Sequence, residues 1–503
     1  MTDEAESAAR PLPKPLPKPI NALYVFLGGA AVVLSNISAI VTHVDEIREF
    51  VTKYLGLSGL FRAHEMAVAT TTVGAMLGYG LLLYWVFQSF IRMRRTREVV
   101  AFLVIGALGF PIVGFLGFQT IKPISVDDLM QTEARDLTAL AFSQQELAEP
   151  YLGGIRFSQN GTAADAQPWT TAQVLYGVLN AQPDVQKQAR EIRMALEYIE
   201  ANRDPATGWG YMAGSKKGVT EINSWVILAN LASLRVDTNH RIWRTDETPL
   251  VVARLERDIA ELASRQHDDG GWAPIGGTTN PRHVRTYCTL MAVWALVEAR
   301  NNSLLSGKAT WKYDQAIKNG VRWLLKNRQT SRAGVSGWWP NPHTVNQNGS
   351  FVGLTAHALY VLQRAKEEFP FLVANDDLAA ARADFLQTAL YGGGGRKGLG
   401  ERPIEQNDRP HDADRYLHGV DDFQAESSTF LWYPWSLAAA VAMMDDPTLS
   451  EKERKDAKRL VKILLRRSGA LAKFVQADEA VYPTAEALFA IGLYLRSEQA
   501  HPQ

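Results

Sequence analysis

Three short stretches of this 503-residue chain are near copies of one another: TAQVLYGVL at 171–179, TAHALYVL at 355–362 and TAEALFAI at 484–491. Their third positions hold Gln173, His357 and Glu486. Polar side chains at one repeat-equivalent position of otherwise apolar helices should lie at one depth and face a common space. A buried His and Glu within one cavity could exchange protons or bind a polar headgroup. The competing account is hydrogen bonding between helices that fixes their register. Looser copies at 289–299 (TLMAVWALVEA) and 223–233 (NSWVILANLAS) put Met291 and Trp225 at the equivalent place.

A second candidate set is basic. The segment 392–424 is long, irregular and begins with four glycines, followed by Arg396, Lys397, Arg402, Arg409 and Arg415 interleaved with His411, Asp412 and His418. Backbone N–H groups together with cations could hold phosphate, although a solvated loop is the plainer account. The turns NPRHVRTY (280–287) and NPHTVNQNGS (341–350) resemble each other and could share a rim, contributing His283, Arg285, His343 and Asn346. Aromatic residues (Trp209, Tyr211, Trp225, Tyr287, Trp338, Trp339, Trp432, Tyr433 and Trp435) are abundant near the same helix ends. They could face a cation, but packing is favoured for most of them.

The elements that must position these groups alternate. Amphipathic helices with a charged face should begin near Leu129, Val185, Val251, Tyr313, Asp376 and Ser450. Each is followed by an apolar helix, beginning near Pro168, Thr220, Arg285, Ser350, Glu426 and Tyr482. A single such hairpin cannot bury its own apolar face, so the repeats must stack or close. Six outer and six inner helices predict an all-α (α/α)6 toroid over 130–503, with an open solenoid as the rival. Between the helices lie Gly/Trp turns, in which Gly ends the helix, Trp caps the apolar layer, and Gln at the helix end reaches carbonyls left free there.

These turns resemble the terpenoid cyclase and protein prenyltransferase superfamily, whose repeats carry Gln, a spacer and Gly-Trp. Gln266 to Trp272 (QHDDGGW) is the better match, and Gln329 with Trp338 is a stretched second one. The resemblance covers about residues 130–503 and implies a squalene-cyclase-like toroid. The family's chemistry is harder to place. A protonation-initiated cyclase would carry Asp-x-Asp-Asp, which this chain lacks. Asp421-Asp422 has its next acid, Glu426, one residue late for a magnesium motif, and Asp127-Asp128 precedes the toroid. Prenyltransferase zinc needs Asp, Cys and His. Cys288 and His357 fall at unmatched levels, and Thr286 stands where the Asp would be, so no metal is expected. A carbohydrate-active toroid would need a carboxylate pair that the sequence does not place. No cofactor can be named.

The first part of the chain reads differently. Residues 1–19 form a Pro-rich basic leader, expected to be disordered. Three uncharged stretches follow within 20–121, at 20–42, 66–91 and 99–121. Each exceeds the ~20 apolar residues that a helix needs to cross a bilayer, so three transmembrane helices are expected ahead of the toroid. With 53 basic and 53 acidic side chains the chain has no charge excess suited to nucleic acid. The expected partners are the lipid bilayer and an isoprenoid, lipid, peptide or small-molecule ligand. Two readings stay open: a ligand-binding or effector module, and an enzyme acting on an isoprenoid or other lipid.

Orientation follows from basic residues near the span ends. Arg92, Arg94, Arg95 and Arg97 crowd one short link, and Arg10, Lys14 and Lys18 flank the first span. The positive-inside rule then puts the N-terminus in the cytoplasm of an inner-membrane protein and the large domain outside. Alkaline phosphatase fused after Gln503 should be active and green fluorescent protein at the same place dark; the opposite pair of results would reverse the topology.

Overall fold

The computed structural model describes residues 126–500, apart from 182–184, 238, 277–279, 306–311, 332–333, 341, 343–351, 393–396, 402–431 and 466–480. The leader and the three uncharged stretches lie outside the described residues. Among those that are described, no helix is long and apolar enough to cross a membrane. The chain divides into two compact units, Met1–Pro123 and Ile124–Gln503.

Twelve α-helices are described in the second unit, and they alternate in character. The outer helices are α1 (Val126–Phe142), α3 (Ala189–Ala201), α5 (Thr248–Ser264), α7 (Asp314–Lys326), α9 (Asn375–Tyr391) and α11 (Glu451–Leu465). The inner ones are α2 (Pro168–Ala181), α4 (Thr220–Val236), α6 (Thr286–Arg300), α8 (Val352–Glu368), α10 (Trp432–Met444) and α12 (Tyr482–Ala500). Burial explains the division. Helix α7 buries Ile317, Gly320, Val321 and Leu324, the i, i+3, i+4, i+7 stripe of a helix wet on one side. Helix α6 buries every residue from Thr286 to Val297, as a helix surrounded by neighbours must. Local signals set the starts: Ser450 and Glu453 exchange hydrogen bonds ahead of α11, the Ser450 N–H donating to the carboxylate at 3.0 Å and the Glu453 N–H to the hydroxyl at 3.3 Å.

The inner helices pack in sequence, α2 on α4, α4 on α6, α6 on α8, α8 on α10 and α10 on α12, and then α12 packs back on α2. That last contact makes the array a closed toroid and excludes the open solenoid. Helix α1 packs on α12 as well as on α2, and Tyr494 Oη donates to Asp127 Oδ1 at 3.0 Å across that junction. Asp127 is thus a tie between first and last helices. The one departure from an all-helical unit among the described residues is a two-stranded antiparallel pair, β1 (Gln329–Thr330) and β2 (Ser336–Gly337), in the stretched turn.

The Gly/Trp turns join each outer helix to its inner partner by a repeated device. The indole N–H groups of Trp209, Trp272 and Trp338 donate to the carbonyls of Ile199, Leu262 and Leu324 at 2.6, 2.8 and 2.9 Å, near the end of the preceding outer helix. The backbone N–H groups of Trp272 and Trp338 donate to Thr289 and Thr355, each the first residue of its repeat copy. In the loose copy, Asn223 donates to the Trp209 carbonyl instead. The Trp residues therefore satisfy helix-end carbonyls as well as fill space. Gly270 takes φ +97, and a Cβ there would lie 2.7 Å from the Asn319 carbonyl oxygen. Gln266 differs from the sequence expectation. Its amide donates to the Gly270 carbonyl and, at 2.9 Å, to that of Ala316 in the first turn of α7, so it links successive outer helices rather than capping its own.

The closing contact between α2 and α12 depends on two small residues. A Cβ at Gly177 would lie 2.4 Å from the Ala485 carbonyl oxygen, and one at Gly492 would lie 2.3 Å from that of Asn180. Backbone cannot yield as a side chain can, so Gly492→Ala should destabilise the folded unit by about 1–3 kcal/mol. Thermal unfolding of the full chain in detergent checks this; an unchanged midpoint would mean that the seam is loose.

Candidate functional site

One side chain from each inner helix lies at a single level: Gln173, Trp225, Met291, His357 and Glu486 at the repeat-equivalent position, and Trp435 in contact with His357 and Glu486, all buried. Gln173 Nε2 donates to Glu486 Oε1 at 3.0 Å, and Trp435 Nε1 donates to Glu486 Oε2 at 2.9 Å. The His357 imidazole stacks on the Trp435 indole with centroids 3.5 Å apart and planes 14° from parallel. The structure thus brings Gln173, His357 and Glu486 into one ring, but Trp435 stands between the histidine and the acid. No direct His357–Glu486 pair forms.

One helical turn above this level, at i−4 on the same faces, stand Trp169, Glu221, Tyr287, Gly353 and Tyr482. Glu221 Oε2 accepts from Tyr211 Oη at 3.1 Å, and Tyr287 also bonds this carboxyl. Phe157, Trp169 and Tyr482 stack above it with centroids 5.7–6.1 Å apart, and Tyr211 meets Trp169 edge-on at 5.5 Å. One turn below the level, Trp294 lies on the axis. Its ring is 5.2–5.8 Å from Tyr176, Trp225, His357, Tyr360, Trp435 and Phe489, which come from the five other inner helices.

Electrostatics follow from this dry surrounding. Burial pushes Glu486 up to about 8, with the Trp435 and Gln173 donors opposing and the Glu221 charge adding to the rise. Burial likewise pushes Glu221 up to about 7 against the Tyr211 and Tyr287 hydrogen bonds. Neither carboxyl is in an ion pair among the described residues. Burial alone pushes His357 down to about 3, so its imidazole is neutral at physiological pH. The Cys288 thiol is raised by burial first and by the Glu221 charge next. Gln173 Oε1, His357 Nε2 and Trp294 Nε1 are buried without a hydrogen-bond partner among the described residues, which leaves polar atoms at the ring for a polar group of a ligand. Among the described residues no three His, Cys, Asp or Glu side chains converge as metal ligands would.

The remaining sequence candidates lie elsewhere. Arg285 is buried at the start of α6, donating to the Val284 and Arg282 carbonyls, and His283 is half-buried in the short 3-10 turn Pro281–His283. Lys397 is exposed and 3.8 Å from Glu401, away from the ring. His343, Asn346 and Arg396 lie outside the described residues, as do Asp421, Asp422 and all of 402–424. A cleft of about 310 Å³ between α3 and α5 is lined by Glu197, Glu200, Arg254 and Asp258 on the outer layer, and it does not reach the acid pair. Sequence reading missed Glu221, whose signal was its position four residues before the ring residue Trp225. Trp435 was noted as an aromatic but not as a ring member.

No protein-family model and no curated protein matches the chain. Several solved structures are similar in shape. A family 76 glycoside hydrolase from a bovine Bacteroides thetaiotaomicron strain superposes with TM-score 0.48 at 10% identity, over 73% of this chain and 77% of that one. The GH76A α-1,6-mannanase of Salegentibacter sp. HEL1_6 gives 0.46 at 11%, over 73% and 100%. The type II terpene cyclase MstE from Scytonema, as a variant with its substrate, gives 0.44 at 12%, over 75% and 100%. Likeness this distant says nothing of what this chain binds or turns over.

The acid pair has a pH signature. Both folded-state values lie above the ordinary glutamate value near 4.3, so the folded state keeps protons that the unfolded state has released. That stabilisation is complete below about pH 4 and is lost as pH rises through 7 and 8. His357 runs the other way: its contribution is present above about 6.5 and lost as pH falls towards 3. Of these three groups, only the acids titrate on the alkaline side. The unfolding midpoint of the chain in detergent should fall between pH 6.5 and 8.5, by the equivalent of about 2 kcal/mol, and Glu486→Gln should remove most of that slope. A slope equally steep in the variant would mean that other groups carry it.

Proposed function

We propose that the toroid is an enzyme that uses Glu486 and Glu221 for general acid–base chemistry on an isoprenoid or other lipid, and that residues 20–121 anchor it in the cell membrane by three spans. One observation carries the catalytic part: two buried, mutually interacting carboxyls with no cationic partner among the described residues, held in an aromatic wall, with Glu486 pushed to about 8 and Glu221 to about 7. A group whose pKa lies near the working pH transfers protons efficiently in both directions. In this reading Glu486 is the proton donor, Glu221 the acceptor, and Gln173 and Trp435 hold the donor in place.

The values also select the reaction. Protonating an alkene requires a strongly acidic carboxylic acid, and burial has made Glu486 weaker than usual. Proton transfer to or from an oxygen or nitrogen of the substrate suits it better. Two carboxyls are also what glycoside chemistry uses. Yet walls of Trp, Tyr, Phe and Met, with few hydrogen-bonding groups, favour a ligand with an apolar body and one polar end. The three uncharged stretches at 20–42, 66–91 and 99–121 support the membrane anchor and thus access to such a ligand.

The same closure favours a second reading, the ligand-binding or effector module. Gln173, His357, Glu486 and Glu221 are only 1–8% exposed, so a ligand reaches them only if the mouth rearranges, and such a rearrangement could report occupancy. Incubating the detergent-purified chain with a membrane lipid extract, followed by mass spectrometry, separates the two. The enzyme reading expects a product whose formation drops by at least ~10²-fold in Glu486→Gln. A ligand recovered unchanged from both proteins would leave the binding module.

A further inference from the structure

The toroid has a second polar cluster on the far side of the Trp294 plug, at the C-terminal ends of the inner helices. Arg235, in the last turn of α4, donates from Nη2 to Asn180 Oδ1 at 2.7 Å. Arg496, near the end of α12, donates from Nη1 to the Asn180 carbonyl. Two guanidiniums from different helices thus converge on one asparagine of α2, at the seam where the ring closes, and Arg496 feels the Arg235 charge. Neither is in an ion pair with a carboxylate among the described residues, and both are exposed.

The third arginine of this end is different. Arg364 is paired with Glu298 at 3.1 Å and also with Glu367, so its charge is already met. A single arginine at a helix C-terminus is accounted for by the negative pole of that helix. Two held side by side by a neutral asparagine are more than this needs, because the Glu298 charge that Arg496 also feels is shared with Arg364 and offsets their mutual repulsion only in part. The phenols of Tyr176 and Tyr360 turn to the same cluster: each interacts electrostatically with Glu298 and Arg496. They add O–H donors to the guanidinium N–H groups, while the aromatic plug separates the cluster from the acid pair.

We infer that this end of the ring is a binding site for a phosphate-type oxyanion, held between Arg235 and Arg496. Guanidinium forks match the oxygens of a phosphate, and charge-assisted hydrogen bonds are the stronger kind. An oxyanion here would relieve the repulsion at the seam and so tie α2, α4 and α12 together. The ligand is either free phosphate or the headgroup of an anionic lipid, which share this chemistry.

The test uses the full chain in detergent. Inorganic phosphate, compared with chloride at equal ionic strength, should raise the unfolding midpoint saturably, by about 5 °C at a hundredfold excess over Kd. If the headgroup is the ligand, micelles doped with phosphatidic acid should give the rise and inorganic phosphate should not. In Arg235→Gln and Arg496→Gln the rise should vanish, and in the paired Lys substitutions most of it should remain. Failure of both probes to shift the wild type beyond chloride, or an equal shift in the Gln variants, would overturn the site. Should a Gln variant not fold, the wild-type and Lys measurements decide alone: an anion that binds elsewhere would leave the Lys protein with the full wild-type affinity.

Discussion

Closure of the ring is the constraint on which everything else rests. Six hairpins joined in a row become a toroid only if the first and last inner helices meet as closely as the other neighbours do. Gly177 and Gly492 permit that approach, since a methyl group at either would press on backbone carbonyl oxygen at 2.3–2.4 Å. The Gln173–Glu486 hydrogen bond then joins residues 313 apart in sequence. Opening the seam would wet the centre, and a wet centre would not perturb its acids. The geometry of the site and the chemistry of the site therefore have one cause.

At that centre desolvation outweighs hydrogen bonding. Two donors to Glu486 stabilise its charged form by an amount on the order of 1–3 kcal/mol each when the acceptor is ionised. Removing a carboxylate from water costs more, and the nearby Glu221 charge adds to the cost, so the proton is retained. Neutral His357 follows from the same imbalance, because an imidazolium would have no anion against it while Glu486 stays protonated. The flat stacking of His357 on Trp435 suits a neutral ring, and it leaves Nε2 without a partner among the described residues.

Much of the architecture was legible because each helix carries its own signal. The near-identical copies located the inner helices at Pro168, Val352 and Tyr482 within two residues, the looser copies those at Thr220 and Thr286, and the amphipathic stripes the outer ones. The ring of third positions could be read the same way. What could not be read depends on partners that lie far apart in the chain. Glu221 looks like an ordinary first-turn acid in TEINSWVIL; its helix puts it one turn above Trp225, but only closure brings it within reach of Glu486. Trp435 sits in YPWSLAAA, which lacks the TAxALY pattern, so its equivalence is spatial rather than textual. Gln266 looked like a cap because the carbonyl it reaches, that of Ala316, belongs to the next repeat.

The polarity of the ring gives the two ends opposite characters. Residues at equivalent repeat positions touch, Gln173 with Glu486 and His357 with Trp435, so the inner helices run parallel and all six N-termini open on one mouth. Helix N-termini favour negative charge and C-termini favour positive charge. The acids accordingly lie near the first turns, and Arg235, Arg364 and Arg496 lie near the last. At the mouth the dipoles push towards ionised carboxylates while burial pushes towards protonated ones, and burial prevails only because aromatic side chains exclude water. An apolar ligand entering the mouth would strengthen the exclusion, whereas a cation or water would reverse it. The protonation state of the pair would therefore respond to what entered the funnel, a property that an acid–base catalyst and a ligand sensor share.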